Sequence, residues 1–222
     1  MSKSIDGCDL PDGAWRELFP HALRIIAEIK KHGIADPFWT FGGGTVLMLR
    51  YRHRLSKDID IFVPDPQYLG FVTPRLSDVA ADISSQYVED QNSYVKLIRQ
   101  EGEIDFVASP NLTQPGFELW NIFGDNIRVE TAVEIVAKKI WHRGDRAVAR
   151  DLFDLSLVIE REPKELHLAK QFLLRHADQF IEQIQSRAHV LKPQFNEIDV
   201  LSYNPSYDEA VERVTDFLGA LR

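Results

Sequence analysis

Residues 41–62 read FGGGTVLMLRYRHRLSKDIDIF, and this stretch decides the predicted fold. Its aromatic start predicts the end of a short strand at Phe41, which the glycines then break. Thr45 can cap a helix that runs to about His53, because a threonine side chain accepts a hydrogen bond from a free amide of the first turn. Ile59–Val63 then predicts a second strand. The order strand, glycine turn, helix, strand is therefore the first structural prediction.

The glycine turn is a candidate phosphate site. A helix that starts directly after a glycine turn leaves backbone amides free to bind phosphate. A triphosphate could therefore bind at the turn formed by residues 42–45. Taken alone, the glycines favour the simpler interpretation that a tight turn needs them for its geometry.

The stretch ends in a pair of carboxylates. Residues two apart on a strand face the same side, so Asp58 and Asp60 would point together while Ile59 and Ile61 enter the core. Two such carboxylates repel each other, and an oxygen-only ligand set favours Mg²⁺ or Mn²⁺ as the ion between them. The alternative for an isolated pair is an exposed strand edge with solvated acids.

A third acid lies on a later predicted strand. Asp105 stands between apolar neighbours, and it would lie beside Asp58 and Asp60 if the two strands are adjacent. We choose Asp105 rather than Glu103 as the third metal ligand, since a strand that begins at Ile104 leaves the orientation of Glu103 open. Three carboxylates can hold two metal ions, which suits an in-line displacement at phosphorus.

Composition limits the class of protein. The chain has 222 residues, of which 44% are hydrophobic, enough for one large or two small domains. It contains no apolar run of the roughly 18 residues that cross a bilayer, and its polar start is unlike a signal peptide. We expect a cytoplasmic protein without a membrane partner. Cys8 is the single cysteine, which excludes an internal disulfide and a cysteine-based zinc site.

The net charge of −8 means that any contact with nucleic acid must be local. Basic residues do cluster beside the motifs, at Arg50, Arg52, His53, Arg54 and Lys57, and again at Lys138, Lys139, Arg143, Arg146 and Arg150.

The predicted elements divide the chain into an α+β part and a helical part. We place the boundary so that residues 1–130 form one domain and 131–222 a helical domain that completes the active site. Strands are expected at 37–41, 59–63, 94–99, 104–108 and, more weakly, 117–123 and 127–129. Helices are expected at 14–31, 45–53, 77–85, 132–142, 147–160, 164–176, 178–188 and 207–221.

Two blocks of sequence resemble a known family. Residues 43–47 (GGTVL), followed by residues 53–62 (HRLSKDIDIF), are similar to the GGTAL and hRxSxDIDxF signature of the AbiEii/AbiGii-type nucleotidyltransferase toxins, a branch of the DNA polymerase β-like superfamily. Residues 134–140 (EIVAKKI), then Arg143 and residues 150–155 (RDLFDL), resemble that family's EIxAxKL…R…RDxxDL segment. The chain departs from the pattern in having a third glycine and in Lys138, where an acid is common.

The resemblance implies a polymerase β-like mixed sheet with flanking helices. It also implies that Asp58 and Asp60 bind metal, that Gly43, Gly44 and Thr45 bind phosphates, that Lys139 contacts the nucleotide and that Asp154 is a further essential acid. Arg143 can join Lys139, since the two lie four residues apart on one helical face. The relative roles of Asp151 and Asp154 stay open. Arg54 and Ser56 either orient the metal-binding strand or contact phosphate.

The resemblance further implies transfer of a nucleoside monophosphate from a nucleoside triphosphate (NTP) to RNA, with the tRNA 3′ end as the favoured target, by the toxin of a toxin–antitoxin or phage-defence system with a cognate antitoxin. One alternative is transfer to a small molecule such as an aminoglycoside, which the acidic net charge of −8 favours. Another is a catalytically idle interaction module, against which the intact Asp58, Asp60, Asp105 and Lys139 argue.

Overall fold

The computed structural model of the protein describes residues 10–222, so Cys8 lies outside the described residues. These residues divide into two compact units, and the chain passes between them more than once. The first unit comprises the residues up to 49, 56–111 and 117–130, and the second comprises 50–55, 112–116 and 131–222.

The first unit is built on one mixed sheet. Its strands are β1 (Thr40–Gly42), β2 (Ile59–Val63), β3 (Gln86–Asp90), β4 (Tyr94–Ile98), β5 (Glu103–Ala108), β6 (Phe117–Ile122) and β7 (Asp125–Glu130). They form a seven-stranded sheet in the order β3-β4-β5-β2-β1-β7-β6. Strands β2 and β5 pair in parallel, as do β1 and β7, while the other neighbours are antiparallel.

Buried and half-buried residues alternate along the central strands β2 and β5, and this alternation determines which face of each strand enters the core. In β2 the isoleucines and Val63 are buried and the residues between them are half-buried. In β5 Ile104 and Phe106 are likewise buried, with Glu103 and Asp105 on the other side. One face of each strand therefore enters the core, and the other carries the acids.

The helices of the first unit are α1 (Trp15–Lys31), α2 (Gly43–Tyr51, whose last residues belong to the second unit), α3 (Leu69–Val72) and α4 (Asp78–Ile83). The apolar stripe of α1 includes Leu18, Ile25 and Ile29, all of them buried, and the helix packs on β2 and β5. Ser77 caps α4 by accepting a hydrogen bond from the Ala80 amide.

The second unit is helical. Its helices are α5 (Ala132–Arg143), α6 (Ala149–Arg161), α7 (Pro163–Leu168), α8 (Lys170–Leu173), α9 (Ala177–Ser186), α10 (Ala188–Asn196) and α11 (Tyr207–Ala220). Helix α6 is its centre, because it packs against α5, α7, α10 and α11. Phe153 of α6 is fully buried and contacts the rings of Phe195 and Tyr203.

The predicted α+β class is confirmed by the mixed sheet and the helical second unit. The sequence interpretation missed β3, α3 and α10, which are short or largely exposed and give weak periodic signals. Within residues 10–222, no helix combines the length and the apolar character that a bilayer crossing requires.

Candidate active site

The turn between β1 and α2 is shaped around an acid. Gly43 has a φ of +73°, and a Cβ atom built there would lie 1.9 Å from Oδ2 of Asp60. Gly42 pairs with Asp60 across the antiparallel strands β1 and β2. Glycine at position 43 is thus required twice, by the backbone conformation and by the carboxylate that lies against it.

Thr45 does not cap α2, and this prediction is wrong. The helix already begins at Gly43, so Thr45 lies within its first turn. Its hydroxyl donates to the carbonyl oxygen of Asp58 at 2.5 Å and lies 3.1 Å from Oγ of Ser56. Thr45 therefore fastens the start of α2 to the segment that leads into β2. Gly44, which is half-buried, lies between Gly43 and Thr45 in the first turn of α2.

The acids of β2 and β5 come together in part. Asp60 lies directly opposite Asp105 in the parallel pairing of the two strands. Asp58, just before β2, accepts a hydrogen bond from the Glu103 amide through Oδ1 at 3.0 Å. No three His, Cys, Asp or Glu side chains in the described range 10–222 are grouped as a metal site. The expected cluster of three carboxylates is therefore not assembled, although the adjacency of Asp60 and Asp105 is present.

The environment of Asp105 disfavours its charged form. Burial and the neighbouring charge of Asp60 raise the pKa of Asp105 to about 7, against the lowering effect of Lys96. Oδ1 of Asp105 is buried and has no hydrogen-bond partner. Carboxylate oxygens that repel one another, one of them buried without a partner, fit a hard divalent cation, so the donor set suits Mg²⁺ or Mn²⁺.

Lys96 is a residue of this site that the sequence interpretation missed. It lies opposite Asp105 in the antiparallel pairing of β4 and β5, and its Nζ is 2.9 Å from Oδ2 of Asp105. The same ammonium group contacts Glu103. Strand β5 begins at Glu103 rather than at Ile104, so Glu103 and Asp105 share a face. The sequence signal that could have identified Lys96 is the alternation of residue types in β4, where the buried Val95 and Leu97 flank it.

The second unit contains a buried network of charges around Asp154, whose side chain is 0% exposed. Arg54 donates to both of its oxygens, from Nε at 2.7 Å and from Nη2 at 2.8 Å. His53 Nε2 lies 2.9 Å from Oδ1, and Lys139 Nζ lies 2.9 Å from Oδ2. Burial raises the pKa of Asp154, but the charges of Arg54 and Lys139 outweigh it and hold that pKa well below its usual range.

Lys139 links this network to a second buried acid. Its Nζ lies 2.9 Å from Oδ1 of Asp151, the atom that Arg143 also contacts at 2.6 Å. Burial raises the pKa of Asp151, and the two cations lower it by more. Lys139 and Arg143 thus project together, as their spacing predicts, and Asp151 is their shared partner. Lys138, by contrast, is buried 3.4 Å from Glu134.

A family model described as nucleotidyl transferase AbiEii toxin, type IV toxin–antitoxin system, matches residues 24–215. The chain belongs to the AbiEii family. It is accordingly a nucleotidyltransferase of a toxin–antitoxin family, and the resemblance of its two motif blocks is confirmed.

Two solved structures from Helicobacter pylori are similar to this AbiEii chain. One is a protein assigned provisionally as a nucleotidyltransferase, at 18% identity and a TM-score of 0.46, with 91% of this chain and 93% of that chain covered. The other is JHP933, at 17% identity and a TM-score of 0.45, with 92% and 91% covered. None of the curated proteins is similar enough in sequence to match.

The two alternatives for Arg54 and Ser56 can be weighed against this geometry. Arg54 is 3% exposed and donates hydrogen bonds from two of its nitrogens to Asp154. The backbone amide of Ser56 donates to the sulfur of Met48 at 3.3 Å, and its hydroxyl lies beside Thr45. Both residues hold the chain segments on either side of Leu55 in place, which supports an orienting role.

Proposed function

We propose that this AbiEii nucleotidyltransferase transfers a nucleoside monophosphate from an NTP to an RNA acceptor, with the tRNA 3′ end as the favoured target. The observation that supports it is the contact between Gly43 and the carboxylate of Asp60. It brings the acid that would hold the metal against the turn whose amides would hold the triphosphate. Metal and phosphate belong together in this chemistry, because a divalent ion neutralises the phosphate oxygens as pyrophosphate leaves.

In this proposal the first unit binds the metal and the phosphates. Asp60 and Asp105, which lie opposite each other, would hold the metal ion, and Asp58 would join them as the third predicted ligand. The amides of the turn at Gly43 and Gly44 bind phosphate, and Thr45 keeps that turn fastened to Asp58. The acceptor hydroxyl oxygen would bond to the α-phosphorus while the bond to pyrophosphate breaks, and the hydroxyl proton would pass to water.

In the second unit, Lys139 is the proposed nucleotide contact, with Arg143 beside it. The Lys139 side chain is 11% exposed and is held by two buried carboxylates, which fix the position of its ammonium group. Asp154 is then a positioning residue that acts through Lys139 and Arg54. The network supports its proposed role as an essential acid, since its removal would leave Arg54 and Lys139 without their common partner.

The proposed RNA contact is local. Arg143, Arg146 and Arg150 are exposed around the connection between α5 and α6, in a protein whose net charge is −8. Arginine binds phosphate well, and a short basic segment attracts a polyanion even where the whole protein is acidic. The family further suggests a cognate antitoxin as a partner. We place the enzyme in the cytoplasm, where NTP and tRNA occur.

The direct test is incubation of the protein with total RNA and each labelled NTP in turn, with Mg²⁺ or Mn²⁺. We expect label from one or more NTPs in RNA of tRNA size, and none with the Asp60→Asn variant. Label in a small acceptor such as an aminoglycoside, with RNA unlabelled, would replace RNA by the small-molecule alternative. Absence of transfer with any acceptor, by a protein that is folded in circular dichroism, would contradict the proposal.

A further inference from the structure

One row of side chains crosses three adjacent strands of the sheet. Asp60 on β2 lies opposite Asp105 on β5, and Asp105 lies opposite Lys96 on β4. The row therefore reads acid, acid, base. Only Asp60 belongs to a motif block, whereas Asp105 and Lys96 come from strands that neither motif block includes.

The Lys96 ammonium is held in place by two acids. It contacts Glu103 and lies 2.9 Å from Oδ2 of Asp105, with 28% of the lysine side chain and 18% of the aspartate side chain exposed. Partial burial strengthens such a pair relative to one in bulk water. One oxygen of Asp105 is thus engaged with a cation of the protein itself, while Oδ1 has no partner.

We propose that Lys96 is the resident counter-ion of Asp105, and that a divalent metal must compete with its ammonium group for this carboxylate. The inference rests on the proposed function, in which Asp60 and Asp105 bind metal. Lys96 reduces the negative charge of the row from two acids to a net single charge. It therefore sets the concentration of divalent ion at which the site fills, and it is a positioning residue rather than a catalytic one.

The test is a titration of the 222-residue chain with Mn²⁺ alone. The electron paramagnetic resonance signal of free Mn²⁺ measures how much of the ion is bound. Lys96→Met should bind Mn²⁺ about tenfold more tightly than wild type, because the competing charge is gone. Lys96→Arg, which keeps the charge, should bind like wild type. Lys192→Met is the matched control, since Lys192 pairs with Asp208 in the second unit at 2.7 Å and lies outside the row.

A double-mutant cycle separates an effect through Asp105 from a general change of charge. In the Asp105→Asn background, Lys96→Met should leave Mn²⁺ affinity unchanged. Equal Mn²⁺ affinity of Lys96→Met and wild type, or weaker binding by the variant, would overturn the role of Lys96. The metal site itself would still stand if wild type binds Mn²⁺ and Asp60→Asn does not. Absence of Mn²⁺ binding in wild type and in every folded variant would overturn both the metal site and the role of Lys96.

Discussion

Arg54 and Asp154, a hundred positions apart in the chain, form a buried ion pair with two hydrogen bonds, from Nε to Oδ1 at 2.7 Å and from Nη2 to Oδ2 at 2.8 Å. Arg54 belongs to the first motif block and Asp154 to the second. The pair joins a residue of each block within the second unit, which includes residues 50–55, and the arginine of one block neutralises the carboxylate of the other. Breaking a buried pair from one side costs more than the pair contributes, because the remaining charge stays buried.

Arg54→Ala should therefore lower the free energy of unfolding by about 3 kcal/mol or more. Lys139 and His53 remain beside Asp154, but the bidentate partner is lost. Urea unfolding of the variant and of wild type at neutral pH measures the difference. Arg24→Ala, at an exposed position of α1, is the control and should stay within about 0.5 kcal/mol of wild type. A loss of less than about 1 kcal/mol in Arg54→Ala would show that the pair is replaced by water or by Lys139.

His53 makes the stability of the protein depend on pH. Burial lowers the pKa of His53 from its usual 6.5, so the unfolded chain takes up a proton below that pH and the folded chain does so only at lower pH. The contribution of His53 to stability therefore falls as the pH falls below about 6.5, by up to about 1.4 kcal/mol per pH unit for one proton. Asp105, whose pKa is raised to about 7, adds stability as the pH falls through that value. Its contribution is the same in wild type and in a His53 variant, so the difference between the two isolates His53.

His53→Gln should remove this loss relative to wild type, because glutamine does not titrate and can still donate to Asp154. Free energies of unfolding at pH 7.5, 6.5 and 5.5 give the slope for wild type and variant. His189→Gln, at an exposed site on α10, should keep the wild-type slope. Identical slopes for His53→Gln and wild type would mean that the buried imidazole is not the titrating group.

The first unit was more predictable than the network of the second. The orientation of Asp60 and Asp105 away from the core follows from alternation along each strand, which leaves a local trace in the sequence. The contacts of Thr45 with the carbonyl of Asp58, and of Lys96 with Asp105, do not, because they depend on which strands and helices become neighbours. His53, predicted only as a member of a basic cluster, lies buried against Asp154.

Gly43→Ala tests the turn against Asp60. The φ of +73° already costs a non-glycine residue roughly 1–2 kcal/mol, and the added methyl group would meet the carboxylate. We expect a lower melting temperature, loss of the thermal stabilisation given by Mn²⁺ with NTP, and turnover reduced by more than tenfold. Gly70→Ala is the matched control, since a Cβ atom there has no heavy atom within 4 Å. Wild-type turnover in Gly43→Ala would show that the turn can move away from Asp60 without harm.

The RNA acceptor gives the last prediction. Arg146 and Arg150 are exposed and stand outside the residues assigned to the nucleotide or the metal. If they neutralise acceptor phosphates, counterions are released on binding, and transfer to subsaturating RNA must fall steeply as salt rises. Arg146→Glu and Arg150→Glu should each raise the acceptor KM several-fold, leave the KM for NTP unchanged and reduce the slope of activity against salt. Arg24→Glu changes the net charge by the same amount on α1 and should change none of these. A flat salt response together with an unchanged acceptor KM in both variants would remove RNA as the acceptor, because a small acceptor makes too few phosphate contacts to depend on these arginines.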